Sequence, residues 1–107
     1  MKYLTKMILA QLRAAAAEEE DKRKRQEAIM GAINVARVLA DKGVLCSMRH
    51  SIDEFGEHLW LTFVGPNKLL INIGIRGART LDVLMQLLKT FYPELSGVFD
   101  QAMRGEQ

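Results

Sequence analysis

The longest uninterrupted feature of this chain is a stretch of forty residues, Tyr3 to Lys42, with no proline and a single glycine, Gly31. It is dominated by Ala, Leu, Glu, Lys, Arg and Gln, the residues of highest helix propensity. One continuous helix of this length would measure about 60 Å at ~1.5 Å per residue. A compact chain of 107 residues has a radius of gyration of only about 13 Å. The sequence therefore predicts a helix that extends beyond its own domain.

The middle of this predicted helix carries four acidic residues followed directly by four basic ones, from Glu18 to Arg25. Each acid precedes a base by four positions, the order that stabilises a helix by about 0.2–0.5 kcal/mol per pair. The expected pairs are Glu18–Lys22, Glu19–Arg23, Glu20–Lys24 and Asp21–Arg25. We expect this block to stay helical in water without packing on a core. The chain is then a single domain, residues 1–107, with a projecting helical arm, residues 1–25, and a compact α+β body, residues 26–104.

Both halves of the helix carry an apolar stripe. On the arm, Leu4, Ile8 and Leu12 share one face, and burying each side chain would contribute about 1.5–3 kcal/mol. The stripe on the body half, which we assign to the core, consists of Ile29, Met30, Ile33, Val35, Ala36, Val38 and Leu39. Because the arm cannot reach that core without a sharp break, we expect a second polypeptide to cover it, either another copy of this chain in a homodimer or a target protein.

Two alternatives for the arm remain open. The helix could break within Glu18–Arg25 and fold back onto the outer face of the sheet. The arm is also basic, with Lys2 and Lys6 ahead of an apolar stretch, as is typical of a membrane-surface helix or a transit peptide. A membrane span is not expected, because no apolar run approaches the ~18–20 residues that a span requires.

Three strand-like runs follow the helix: Val44 to His50, His58 to Val64, and Lys68 to Ile75. Their connections are short, and Gly65-Pro66-Asn67 is a strong hairpin signal, so we predict a three-stranded antiparallel meander.

Alternation with a period of two sorts the strand residues into two faces. The predicted core face carries Val44, Cys46, Met48, Leu59, Leu61, Phe63, Leu69, Ile71, Ile73 and Ile75. The predicted outer face carries Leu45, Ser47, Arg49, His58, Trp60, Thr62, Val64, Lys68, Leu70 and Asn72. A tryptophan among basic and apolar residues on an outer face is typical of a contact surface. We therefore predict that Trp60, Arg49 and Leu70 bind protein, unless the arm of the same or a second chain covers them.

The C-terminal part predicts two helices. Thr80 is suited to cap a helix that runs to Phe91, Pro93 ends or kinks it, and a short amphipathic helix follows to Met103. The predicted fold is α+β in the order α-β-β-β-α-α.

Groups that could carry catalysis are few: one cysteine and two histidines. Cys46 and His50 are ~13 Å apart along one strand, too far for a nucleophile–base pair, and the predicted place of Cys46 is the core. A single cysteine allows no internal disulfide and suits a reducing compartment, so we expect a cytoplasmic protein. No phosphate-binding loop, Ser-His-Asp arrangement or zinc signature is present. We therefore expect no catalytic residues and no cofactor.

The polar turn after the first strand concentrates the two histidines and several acids: His50, Asp53, Glu54, Glu57 and His58. These groups could ligate a divalent metal, but their spacing matches no known ligand pattern. We interpret the cluster as a solvated turn and expect no metal site.

One loop combines features that bind anions. Arg76, Gly77, Arg79 and Thr80 join the last strand to a helix, and together they offer backbone donors, positive charge and a helix N-terminus. The same glycines and Thr80 would also serve a tight turn and a cap. Anion binding here is a weak prediction.

The element order from Gln26 to Tyr92 is similar to that of double-stranded RNA-binding domains. Those domains place lysines at the start of their second helix to bridge phosphates, whereas Gly77 to Asp82 here contains no lysine and includes an acid. From Gly43 onward the sequence contains six basic and seven acidic residues. This charge balance does not favour binding a polyanion.

The composition is that of an ordinary soluble globular protein, with 49% hydrophobic and 26% charged residues. The net charge of +2 is too small to require a polyanionic partner. We expect a non-enzymatic protein-binding module, a homodimer that acts as a regulator, adaptor or inhibitor of a larger protein, of a kind that phages and plasmids also encode. The alternative is a nucleic-acid-binding protein with the topology of double-stranded RNA-binding domains.

Overall fold

The opening helix is a single rod. The computed structural model describes residues 2–54 and 56–105, and the side chains of all of these except 2–4, 18 and 20. Helix α1, Lys2–Lys42, runs without interruption for 41 residues. The protein measures 66 × 27 × 20 Å with a radius of gyration of 17.9 Å, above the ~13 Å of a compact chain of this size. The predicted long helix is confirmed, and the alternative that it breaks and folds back is wrong.

Helix α1 ends where the sequence predicts. Gly43 adopts a left-handed φ of 81°, its N–H donates to the Ala40 carbonyl, and the N–H of Val44 donates to the Leu39 carbonyl, both at 3.0 Å. These two bonds form a Schellman motif, for which a glycine at the left-handed position is favoured.

Three strands follow, β1 Leu45–Asp53, β2 Gly56–Val64 and β3 Leu70–Ile75. They pair antiparallel in the order β1-β2-β3, so the predicted meander is confirmed. The link from β2 to β3 is a 3-10 turn, Pro66–Lys68. This turn delays the start of β3, and Leu69 is exposed rather than part of the core face as predicted.

The register of β1 contains one irregularity. Leu45 pairs with Phe63 and Ser47 with Thr62, so Cys46 is an extra residue in a β-bulge. Because paired residues share a face, Leu45 lies on the core side with Phe63 and is partly buried. Cys46 is exposed. The predicted positions of both residues, Leu45 outside and Cys46 in the core, are wrong for this reason.

One core lies between a single face of the sheet and the helices. The C-terminal helices are α2, Ala78–Phe91, and α3, Ser96–Met103, joined by a 3-10 turn that begins at Pro93. The predicted break at Pro93 is confirmed. The buried apolar residues are Ala28, Ile29, Ala32, Val35, Ala36, Leu39, Leu59, Leu61, Phe63, Ile75, Leu81, Leu84, Met85, Leu88 and Phe99.

Polar contacts fix the C-terminal part onto this core. The Tyr92 hydroxyl donates to the Val64 carbonyl, joining the end of α2 to the sheet. The Lys89 ammonium lies 2.8 Å from an Asp100 carboxylate oxygen, joining α2 to α3.

Candidate protein-binding surfaces

The arm exposes its apolar residues. Every described side chain from Thr5 to Lys24 is exposed, including Ile8 at 57% and Leu12 at 61% of their surface. Met7 and Leu9 are exposed to nearly half. The side chain of Leu4, the third residue of the predicted stripe, lies outside the described part. The described arm therefore presents apolar surface that the body does not cover.

The apolar stripe of the arm faces away from the body. Residues 18 apart on a helix, five full turns, point in the same direction, and Leu12 and Met30 have this spacing. Met30 is 54% exposed, so its predicted place in the core is wrong. Ala32, two residues further and about 200° around the helix, is fully buried. The face that continues the arm's stripe along the body is thus the outer one.

A shallow groove accompanies this outer face. It runs between α1 and the end of α3 and is lined by Gln26, Met30, Gly31, Asn34 and Met103, among others. Gly31 permits the close packing, because a Cβ at that position would lie 3.4 Å from both Leu81 Cδ2 and Met103 Cγ. Sequence reasoning did not find this groove. The available signal was the spacing of 18 residues between Leu12 and Met30.

The outer sheet face holds the second predicted surface. Arg49 pairs with Trp60 across β1 and β2, and Trp60 pairs with Gly74 across β2 and β3. A Cβ on Gly74 would lie 3.0 Å from two atoms of the six-membered Trp60 ring, so the ring lies over the glycine. Together with Ser47, Thr62 and Asn72, Arg49 and Trp60 line one depression.

The predicted protein-binding residues do not form one surface. Leu70 is exposed at 62% but pairs with Val64, four residues or ~13 Å along the sheet from the pairing of Trp60. Ile8 lies 17 residues before Arg25, ~26 Å along α1. The structure brings Arg49 and Trp60 together, and it leaves the arm as a separate surface.

The two histidines of the first hairpin lie on opposite faces. His50 pairs with Leu59, and His58 is the neighbour of Leu59 in sequence, so their side chains point in opposite directions. His50 Nε2 lies 2.8 Å from Glu57 Oε1, and His58 Nδ1 lies 3.6 Å from Asp53 Oδ2. His58 is buried, at 5% exposure, which its predicted position on the outer face did not suggest. Within the described residues no group of three or more ligand-type side chains could hold a metal ion.

The loop from Arg76 to Thr80 uses its donors internally. The backbone N–H groups of Arg76 and Gly77 donate to Thr80 Oγ1 at 2.8 and 3.1 Å, and the Thr80 hydroxyl donates to the Gly77 carbonyl at 3.0 Å. Thr80 therefore caps α2 from its third position, not from the position before the helix. Arg76 and Arg79 are exposed. An anion here would compete with Thr80 for two donors, and binding by Arg76, Gly77, Arg79 and Thr80 stays a prediction.

Two arginines of the charged block form contacts other than those predicted. Arg23 approaches Glu27, with Nε 3.8 Å from Oε1, and the Arg25 guanidinium lies against Gly56 in the first hairpin. Two predicted pairs lie entirely on described side chains, Glu19–Arg23 and Asp21–Arg25, and neither forms.

No protein-family model, curated protein or solved structure matches this chain. In the described part of the chain, no helix is long and apolar enough to cross a membrane.

Proposed function

We propose that this chain is a non-enzymatic protein-binding module, a homodimer that acts as a regulator, adaptor or inhibitor of a larger protein. The observation that carries the proposal is the exposure of Ile8 and Leu12 on a helical arm that points away from the core. Burying such a side chain, rather than leaving it in water, stabilises a protein by about 1.5–3 kcal/mol. Burial against a second polypeptide would recover that free energy.

The Trp60 surface offers a place for a target protein. Tryptophan and arginine are the side chains most enriched at the energetic centres of interfaces, and Trp60 and Arg49 are direct neighbours here. Because this surface is separate from the arm, both can be occupied at once. One can hold a second copy of the chain while the other holds the target.

Nucleic-acid binding is not proposed, because no observation favours it. In the loop with Arg76 and Arg79, the backbone N–H groups of Arg76 and Gly77 already donate to Thr80 Oγ1. Bases and acids are nearly balanced from Gly43 onward.

The test places a photo-cross-linking side chain at position Leu12 and, separately, at position Trp60 in cells of the native host. Each captured protein is purified, and its affinity for the chain is measured. We expect Leu12→Asp or Trp60→Ala to weaken the corresponding complex at least about tenfold, which is ~1.4 kcal/mol. Ile52→Asp is the matched control, since Ile52 is an exposed apolar residue on the body.

Affinities that neither Leu12→Asp nor Trp60→Ala changes would overturn the proposal. An affinity for polynucleotide that falls steeply with salt, and is the same in both variants, would favour the nucleic-acid alternative.

A further inference from the structure

The outer face of α1 carries apolar residues towards both ends and polar or charged residues between them. Positions that alternate by three and four residues form the contact seam of a coiled coil. On the outer face of α1 the residues with this spacing are Leu9, Leu12, Ala16, Glu19, Arg23, Gln26, Met30 and Ile33. We call this set of residues the seam. Seven of these side chains are exposed, and Ile33 is half-buried at the edge of the core. The two ends of the seam, Leu9 and Ile33, lie 24 residues apart, ~36 Å along the helix.

The seam is symmetric about Asp21. Of the residues at equal distances before and after that position, two pairs are apolar on both sides, one joins the opposite charges of Glu19 and Arg23, and one joins the small Ala16 to the polar Gln26. The four matched pairs are Leu9 with Ile33, Leu12 with Met30, Ala16 with Gln26, and Glu19 with Arg23. A helix of this kind is complementary to a second copy that runs in the opposite direction.

We infer that the arm's partner is a second copy of this chain, packed antiparallel along the seam and centred on Asp21; this inference rests on the proposed function. Each matched pair then forms twice across the interface. Apolar contacts close both ends of the seam, and two Glu19–Arg23 pairs align its centre.

Charge selects the direction. In a parallel pair Glu19 would face Glu19 of the other copy, and Arg23 would face Arg23, so like charges would meet at adjacent layers of the seam. Antiparallel packing replaces both repulsions with attractions. On the flanks, Arg13 opposes Glu27 on one side whereas Lys22 meets Lys22 of the second copy on the other, so the direction rests on the Glu19–Arg23 pairs of the seam itself.

The bodies do not obstruct this packing. Ala32, Val35 and Leu39 attach α1 to the core from the opposite side of the helix, so each body lies away from the seam. The arm of one copy runs along residues 30–37 of the other, beside the groove lined by Met30, Asn34 and Met103.

The first test compares two aspartate substitutions by analytical ultracentrifugation of the full chain. Leu12 lies on the seam, whereas Met7, also an exposed apolar residue of the arm, points about 140° away from it. Leu12→Asp is expected to raise the dimer dissociation constant at least about tenfold. Met7→Asp is expected to change it less than about threefold. Circular dichroism verifies that both variants fold.

The second test reads the direction of packing. A variant with Glu19→Arg and Arg23→Glu keeps its complementarity to itself in the antiparallel arrangement. Mixed with wild type, it places like charges opposite each other when antiparallel and opposite charges when parallel. We expect both proteins to dimerise and the mixed dimer to fall below its statistical share in native mass spectrometry, with a mass tag on one protein.

Three results would overturn the inference: a mixed dimer above its statistical share, a dimer that Leu12→Asp leaves intact, or a wild type that is monomeric at about 100 µM, where a micromolar dimer is largely associated. A monomeric wild type whose complex with another captured protein is still weakened by Leu12→Asp would overturn the antiparallel dimer and the homodimer part of the proposed function. The binding of a target protein through the arm would then stand.

Discussion

The guanidinium group of Arg25 lies against the backbone of Gly56, where β2 begins. Arg25 is half-buried, whereas the described side chains from residue 5 to residue 24 are exposed. This contact therefore marks the point at which the arm joins the body. It also explains why Arg25 does not pair with Asp21 as the spacing of four predicts.

Gly56 is expected to be intolerant of a side chain. Its φ of 110° is accessible to glycine and strained for other residues, and a Cβ would collide with Arg25 Nη1. Gly56→Ala should lower the free energy of unfolding by about 1–3 kcal/mol, measured by urea denaturation at a fixed protein concentration. Gly97→Ala is the control: nothing lies near a Cβ there, and alanine in a helix should raise stability by up to about 1 kcal/mol. Equal stabilities of the two variants would contradict the prediction.

The packing of Trp60 over Gly74 can be followed by fluorescence, because Trp60 is the only tryptophan. A Cβ at position 74 would lie 3.0 Å from the ring, closer than carbon atoms pack. Gly74→Ala should displace the ring towards solvent and move the emission maximum to longer wavelength. Gly77→Ala, where a Cβ meets no neighbouring atom, should leave the emission unchanged. An identical spectrum for Gly74→Ala would show that the ring does not lie over Gly74.

The burial pattern predicts how two leucines differ in their effect on stability. Leu84 on α2 is fully buried, and Leu70 at the start of β3 is 62% exposed. Leu84→Ala should lower the free energy of unfolding by about 2–5 kcal/mol, because it removes core contacts and leaves a cavity. Leu70→Ala should change it by less than about 0.5 kcal/mol. Denaturation curves at one protein concentration provide the comparison, since self-association would make stability depend on concentration.

Most of the fold could be predicted because its signals are local. Helix propensity and the absence of proline from residues 3–42 define α1, and Gly43 fixes its end through a left-handed φ. Alternation places Leu59, Leu61 and Phe63 in the core, since β2 is the central strand and the extra residue of the bulge belongs to β1, not to β2.

The error at Met30 arises because the apolar residues of the body half are not confined to one face of α1. Met30 lies about 200° around the helix from the fully buried Ala32 and stays exposed. An apolar residue within the stripe is therefore not by itself a sign of burial.

The candidate surfaces were predictable only in part. The exposure of Ile8 and Leu12 follows from the length of the helix, a property of the sequence. The pairing of Arg49 with Trp60 continues the register that begins at the turn between β1 and β2, and simple alternation already places both residues on the outer face. The bulge at Cys46 changes the pairing only before Ser47. The alternation of faces in a strand gives no sign that a residue is inserted, so the sequence does not predict the bulge. The reactivity of the Cys46 thiol tests whether the bulge is present.

Cys46 is exposed because it is the extra residue of the bulge. A thiol reagent should therefore label it completely in the folded protein, at a rate within about tenfold of that in denaturant. In a regular strand, Cys46 would lie among the core side chains, and labelling would have to wait for local or global unfolding, which slows it by orders of magnitude. Absorbance of the released thiolate from a disulfide reagent gives both rates, with Cys46→Ser as the blank. A strongly protected thiol would mean that β1 pairs without the bulge, which would place Cys46 opposite Phe63 and Leu45 opposite Val64 on the outer face.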